Sequence, residues 1–279
     1  MAELVAGIGI SHVPSLARVL ETDRTDSSPD TDFLAFHEAG EWIREKNPDV
    51  VVVIYNDHGS ALSLEFVPTF AIGAAKKYLP ADEGRGRRPV PDFPGDQDLS
   101  WHLIDSVVPE GFDLTVCQRL DVDHGLSEPL VSLFGTPEEW PMRVVPIAVN
   151  VVQQPTPSAQ RCFDLGKAIG RAIASYPEDV KVAVIGTGGM SHQLQGQRAG
   201  HINSEFDRMF LSKIVEDPDA LTALSNMEYI DLAGSEGAEL VMWLVMRGAM
   251  DATASAVHSG YRVPISSTAA GVVTLENPQ

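Results

Sequence analysis

The residues best suited to chemistry in this chain are histidines. Four of them share one kind of context: an apolar stretch, a few small or acidic residues, the histidine, and then a polar or glycine turn. They are His12 in GISHVP, His58 in YNDHGSA, His124 in LDVDHGLSEPL and His192 in GTGGMSHQLQG. A neutral imidazole ligates metals and takes up protons near neutral pH. Any one of these taken alone reads as a loop histidine bonded to a backbone carbonyl. Four in the same type of position point to a shared site. His37, His102 and His201 fall in or beside helical segments and His258 near a terminal turn. These are read as packing or solvent-facing groups.

Glu239 is the second unusual residue. It lies in GSEGAELVMWLVMR, and the residues after it are apolar all round, which predicts a buried helix. Ser235 reads as the N-cap, and Glu236 already complements the helix dipole. The residue four positions on from Glu239 is Trp243, so no local cation pairs with the carboxylate. A carboxylate entering a buried helix needs a partner, and a metal cation is one. Two histidines and a carboxylate form the facial triad of non-haem Fe(II) oxygenases. Zinc hydrolases also use two histidines and a glutamate, so the residue types leave the metal open. The phosphate-binding loop, the complete dinucleotide fingerprint, G-x-S-x-G and H-E-x-x-H are all missing.

The elements that must position these groups alternate along the chain. Strands are predicted at 4–10, 50–55, 144–147 and 182–185, and helices near 32–46, 97–108, 158–175, 203–215 and 235–249. This predicts an α/β fold, a three-layer sandwich around a mixed or largely parallel sheet, with the active site at the carboxyl ends of the strands. Three polar stretches interrupt the pattern: a surface loop at 22–32, a Pro/Gly-rich loop at 80–98 and a short turn at 153–158. The candidate ligands span residues 12 to 239, so a single catalytic domain over 1–279 is expected.

Composition excludes several functions. The 279 residues are 44% hydrophobic and 21% charged, ordinary globular values. The longest apolar run, Leu240 to Met246, is far short of the ~20 residues of a membrane span. The N-terminus lacks a basic n-region, so it does not read as a signal peptide. A net charge of −19 argues against nucleic acid and anionic membranes as partners. Cys117 and Cys162 are isolated, which suits a reducing cytoplasm.

At these residues the chain resembles the class II (LigB-type) extradiol ring-cleaving dioxygenases. The resemblance runs nearly end to end, through SHVP (11–14), VVIYNDHGSA (52–61), PTFAIG (68–73), the RPVPD-containing segment 80–92, DVDHG (121–125), FGTPEEWP (134–141), GTGGMSHQLQG (186–196) and GSEGAELVMWLVMRGA (234–249). It implies that His12, His58 and Glu239 hold Fe(II), that His192 is the acid/base, and that His124 contacts a substrate oxygen. It also implies that Ser266, in VPISSTAAG, contacts the ring substituents. Ser267 stands where relatives carry asparagine, and Ile10 replaces a smaller or more polar residue, so the pocket is expected to be adjusted. The chain is similar to catalytic, beta-type subunits that open protocatechuate with O2 to 4-carboxy-2-hydroxymuconate semialdehyde, both oxygen atoms entering the product. Gallate, a methylgallate or another catechol is the alternative substrate, and a zinc hydrolase or a non-catalytic scaffold the more distant reading. The chain ends at Gln279 without an alpha-like extension, so a separate small alpha subunit in an alpha2beta2-like assembly is expected.

Overall fold

Six consecutive residues, VVVVIY, form the strand Val50–Tyr55, and all six are buried. Successive side chains of a strand point to opposite faces. Accordingly, Val50, Val52 and Ile54 enter one apolar cluster, while Val51, Val53 and Tyr55 enter a second. The strand therefore lies at the centre of a sheet covered on both sides. β-branched residues suit such a strand because they pack well on a pleated surface.

The computed structural model describes residues 1–25, 30–263 and 267–278. In chain order the strands are β1 (Glu3–Ile10), β2 (Val50–Tyr55), β3 (Phe70–Gly73), β4 (Lys77–Pro80), β5 (Phe93–Pro94), β6 (Thr115–Cys117), β7 (Asp121–Val122), β8 (Arg143–Val149), β9 (Lys181–Thr187), β10 (Ser255–Arg262) and β11 (Ala270–Glu276). The helices are α1 (Leu16–Thr25), α2 (Leu34–Lys46), α3 (Gln97–Val107), α4 (His124–Phe134), α5 (Ala159–Ser175), α6 (Ser204–Glu216), α7 (Pro218–Thr222), α8 (Asn226–Ala233) and α9 (Val241–Ala249). The main sheet has eight strands in the order β10-β11-β1-β9-β2-β8-β3-β6. Its centre, β1-β9-β2-β8, is parallel, and antiparallel pairings of β11 with β1 and of β3 with β8 flank it.

Helices α3, α5 and α9 supply one apolar cluster, and α1, α2 and α4 the other. This is the expected three-layer sandwich around a mixed sheet. A close approach explains a glycine in β1. A Cβ on Gly9 would sit 2.2 Å from the Trp243 ring, so only glycine lets α9 lie this close to the strand. Over-packing of this kind costs about 1–3 kcal/mol. No described helix is long and apolar enough to cross a membrane.

The structure revises several local expectations. The stretch 22–32 is not all loop: α1 runs through Thr25 and a 3-10 turn covers Thr31–Phe33, while 26–29 lie outside the described residues. The stretch 80–98 contains the short strand β5 and the start of α3. The helix expected over 235–249 is divided into a 3-10 segment, Glu236–Leu240, and α9. Ser235 makes no cap hydrogen bond to that segment, and its hydroxyl instead donates to Glu236 (2.6 Å).

Candidate active site

Parallel strands end on the same side of a sheet, so residues just past β1, β9 and β2 are brought together there. His12 lies two residues beyond β1, His58 three beyond β2 and His192 five beyond β9. The ring centroids of His12 and His58 are 5.2 Å apart, those of His12 and His124 are 5.6 Å apart, and His58 stacks on His124 at 4.0 Å. A ring nitrogen from each of His12, His58 and His124 lies within 4.8 Å of the other two, as a shared metal ion would need.

Each ring is held by one nitrogen. His12 Nδ1 bonds Thr187 Oγ1 (3.2 Å), and His58 Nδ1 donates to Asp123 Oδ2 (2.9 Å). The Asp123 carboxylate, an acceptor only, fixes the His58 tautomer and leaves its Nε2 lone pair for a ligand, whereas the Thr187 hydroxyl, which both donates and accepts, orients the His12 ring without choosing its tautomer. Both Nε2 atoms face Glu239, 3.0 Å away for His12 and 3.8 Å for His58. Asn56 Nδ2 donates to His58 Nε2 (3.1 Å) and approaches Glu239 Oε1 (3.5 Å), so these lone pairs share one small space. Burial holds the His12 imidazole below its ordinary value, with Glu239 opposing. Burial also pulls on His58, but its hydrogen bond to Asp123 and the nearby negative charge of Glu239 win and push it up to about 10.

Glu239 is buried and accepts from Gly189 N (2.8 Å). Burial alone would raise its carboxyl, yet the imidazoles, His12 foremost, hold it well below the usual carboxylate range. Among the described residues no lysine or arginine pairs with it; its ion-pair partners are His12, His58 and His192. Asn56 Oδ1, also buried, has no hydrogen-bond partner among the described residues. Two oriented imidazole nitrogens and an anionic carboxylate, all short of a cation, fit a divalent transition metal. The 3-10 turn brings the carboxylate here. It packs against the β9 exit, where Gly188 has φ +135° and a Cβ would meet Glu239 at 2.9 Å. Trp243 Nε1 donates to Gly188 O (3.2 Å) and ties the same junction to α9.

Two further histidines flank this donor set. His192 Nδ1 lies 2.8 Å from Met190 O, an acceptor only, so Nδ1 carries the proton and Nε2 offers a lone pair. That Nε2 is 3.9 Å from Glu239, close but not bonded. His124 opens α4, and both its backbone N (2.9 Å) and its Nδ1 (2.5 Å) donate to the Glu83 carboxylate. Burial would raise Glu83, but the His124 bond holds it below its ordinary value. The structure thus gathers His12, His58, His124, His192 and Glu239 at one locus. Ser266 lies outside the described residues.

Sequence reasoning missed the supporting residues. Asp123 caps α4 through Oδ1 to Gly125 N (2.9 Å) while its Oδ2 accepts from both the backbone N (2.7 Å) and Nδ1 of His58. The adjacency in DVDHG was a signal, but the partner lies 65 residues away. Glu83 comes from the 80–98 stretch. That stretch is anchored by Arg88 to the buried Glu128 (2.6 Å) and to Pro14 O (3.1 Å). The remaining histidines are elsewhere and serve packing: His37 bonds Asp23, His102 bonds Ala172 O, His201 bonds Leu232 O and His258 bonds Thr274. Both cysteines are free.

Two cavities deserve comparison. The larger, about 800 Å³, lies at the amino ends of β1 and β9, at the opposite end of these strands from the histidines. A cavity of about 500 Å³ is lined by Asp57, His58, Leu62 and Asn150 at the carboxyl ends, and the exposed Leu64 and Val152 border it.

Comparison with known proteins agrees with this geometry. A family model described as the catalytic LigB subunit of aromatic ring-opening dioxygenase matches residues 6–273. A gallate dioxygenase of Pseudomonas putida is 44% identical over 197 residues, covering 71% of this chain and 58% of that protein. A 2,3-dihydroxyphenylpropionate/2,3-dihydroxicinnamic acid 1,2-dioxygenase of Mycobacterium sp. is 36% identical over 154 residues, covering 55% and 47%. The chain therefore spans about half the length of these curated relatives. Among solved structures, an uncharacterized protein, JW3007, from Escherichia coli K12 shares the fold, with TM-score 0.62 and 13% identity over 97% of this chain and 99% of that one. The oriented histidines and buried glutamate lie at the carboxyl end of the parallel strands, and the chain belongs to the LigB family of catalytic subunits of aromatic ring-opening dioxygenases.

Proposed function

We propose that this chain is an Fe(II)-dependent extradiol dioxygenase acting on gallate, with residues 1–279 forming one catalytic domain. The observation that carries the chemistry is the convergence of His12 Nε2, His58 Nε2 and the Glu239 carboxylate beside two more oriented histidines. Gallate replaces the protocatechuate expected from the sequence because the 44%-identical relative is a gallate dioxygenase. When bound, the iron would supply the redox chemistry that lets dioxygen react with an aromatic ring.

The protein side chains have separable tasks. His12, His58 and Glu239 hold the metal. His192, with Nδ1 committed to Met190 O, takes a proton from a ring hydroxyl at Nε2 and later returns it. His124, fixed by Glu83, orients a substrate oxygen. Holding both reactants in one place turns an encounter into a local reaction. Ser266 remains the proposed contact to the ring substituents.

The proposal includes a separate small alpha-type subunit in an alpha2beta2-like assembly, covering the cleft. The exposed Leu64 and Val152, which line the same cavity as His58, support an apolar covering surface. A cytoplasmic location suits the two free cysteines.

The test is oxygen uptake by protein reconstituted with Fe(II) under anaerobic conditions, with gallate, protocatechuate and 2,3-dihydroxyphenylpropionate, each with and without a candidate alpha subunit. The highest kcat/KM is expected with gallate. A higher value with protocatechuate overturns the substrate assignment, and no uptake with any catechol overturns the dioxygenase reading. Hydrolytic activity with zinc and no oxygen uptake would instead favour the hydrolase alternative.

A further inference from the structure

Behind His192 lies a buried carboxylate with no part in the scheme above. Asp207, on α6, is fully buried. Its Oδ1 accepts from Ser191 N (2.8 Å), and its Oδ2 accepts from the hydroxyls of Ser191 (2.6 Å) and Tyr261 (2.8 Å). Ser191 Oγ in turn accepts from Asn203 N (2.7 Å), at the cap of the same helix. The Tyr261 hydroxyl also lies 3.1 Å from Ser204 Oγ. A buried carboxylate is costly even when hydrogen-bonded, and neutral acceptors could hold a loop at lower cost.

The bonds have a direction that a simple tie would not need. Ser191 N and Met190 O belong to one peptide group. Its N–H donates to Asp207, and its carbonyl accepts from His192 Nδ1 (2.8 Å). A carboxylate pulling on the N–H polarises the carbonyl at the other end and strengthens its grip on the imidazole proton. The same segment is fixed on its other side, by Met190 N to Ala269 O (3.0 Å), Ala269 N to Ser191 O (3.2 Å) and the bridge between His192 and Thr268. His192 N donates to Ala233 O (2.7 Å). The ring is therefore held through its backbone from several directions, but only the Asp207 path ends on its Nδ1 proton.

We propose that Asp207 is a positioning residue for His192, acting through the Met190–Ser191 peptide group to keep Nδ1 protonated and Nε2 free to accept a proton. The inference rests on the reading of His192 as the acid/base.

The experiment uses the whole chain, with 15N-histidine NMR of the metal-free protein and steady-state turnover of gallate by the Fe(II)-loaded protein. In the wild type, His192 is expected as the Nδ1–H tautomer alone; an Nε2–H tautomer overturns the proposal without any variant. Asp207→Asn keeps the volume and one acceptor but loses the charge. It is expected to mix the tautomers, to lower kcat about 10- to 100-fold, the cost of misplacing a reacting group, and to leave KM and bound iron within about 2-fold. Tyr261→Phe removes one donor from Asp207 but keeps both Ser191 bonds, and it is expected to lose less than about 3-fold in kcat with the tautomer unchanged. An Asp207→Asn protein with wild-type tautomer and kcat overturns the proposal, as does Tyr261→Phe matching Asp207→Asn in its loss. His192→Asn separates the two levels. If it keeps turnover, the acid/base reading fails and takes this inference with it. If it loses turnover while Asp207→Asn does not, only the inference fails.

Discussion

Asp123→Asn is the most informative single substitution because the two oxygens of Asp123 do different jobs. Oδ1 caps α4 at Gly125 N, while Oδ2 receives both the backbone N and Nδ1 of His58. An amide has one acceptor oxygen, so asparagine keeps one job and loses the other. If its oxygen stays on the cap, its NH2 faces His58 Nδ1. The imidazole proton must then move to Nε2, the nitrogen a metal needs. If its oxygen turns to His58, the cap is lost, at about 1 kcal/mol, and the second oxygen's contacts go unmet. Outer-shell partners of this kind are worth about 10- to 100-fold in metal affinity. That is about 1.4–2.7 kcal/mol, at roughly 1.4 kcal/mol per decade. An unmet buried donor adds about 1–3 kcal/mol of lost stability. The assay is anaerobic titration of metal-free protein with Fe(II) against a competing chelator, run well below the thermal midpoint, with circular dichroism to confirm the fold. The expected result is a folded protein whose Kd for Fe(II) rises at least 10-fold. A Kd within 2-fold of wild type would refute the role given to Asp123 and to the His58 tautomer.

The remaining predictions concern separate parts of the account. Glu239→Ala is expected to lose bound iron, whereas His192→Ala keeps the iron and loses turnover; metal analysis of both purified proteins checks this, and loss of iron from His192→Ala would make that histidine a ligand. Glu83→Gln leaves one of the two His124 donors without a carboxylate oxygen and is expected to lower kcat about 10-fold or more with iron content unchanged; unchanged kcat would leave Glu83 a loop anchor only. Glu128 is a buried carboxyl raised by desolvation, with Arg88 and Ala17 N opposing. A carboxyl raised in the folded state favours folding below its unfolded value, and that contribution is lost as pH rises through the folded value. Glu128→Gln should therefore unfold at or above the wild-type temperature near pH 7, and the two should converge below about pH 4.3, the ordinary glutamate value. Thermal melts across that range decide it, and a variant much less stable at pH 7 would mean that the Arg88 pair outweighs desolvation.

The central sheet and the clustering of the histidines were legible because their residues carry local signals. VVVVIY can hardly be anything but a buried strand, and a histidine just past a strand end is visible without knowing the neighbours. Other elements were hidden for physical reasons. Helix α4 contains Pro129, which local propensity counts against a helix, yet tertiary packing of Leu126, Leu130 and Leu133 holds it. Strand β10 lies at the sheet edge and is largely exposed, so no apolar alternation marks it. Glycine inside a strand weakens it by propensity; the reason for Gly9, the Trp243 ring, lies far along the chain in α9. Ser235 had the right type for a cap, but its backbone is already helical and its hydroxyl turns to Glu236. The second layer of the site, Asp123 and Glu83, depends on contacts across 65 and 41 residues that spacing alone does not reveal.

The acidic surface gives the site a further constraint. With a net charge of −19, the chain repels an anionic aromatic acid at long range. Under the proposed function, attraction comes from the cation that His12, His58 and Glu239 would hold in the cleft. Turnover of gallate should therefore rise with ionic strength, through KM, as the long-range repulsion is screened.

The central claim is that the Fe(II)-loaded chain opens a catecholic ring with molecular oxygen at the His12, His58 and Glu239 site. It is tested most directly by following dissolved oxygen and the aromatic absorbance of gallate together in one reaction. The account predicts one O2 consumed for each gallate ring opened, with both signals lost in Glu239→Ala. Disappearance of gallate without oxygen uptake, or undiminished uptake in Glu239→Ala, would contradict it.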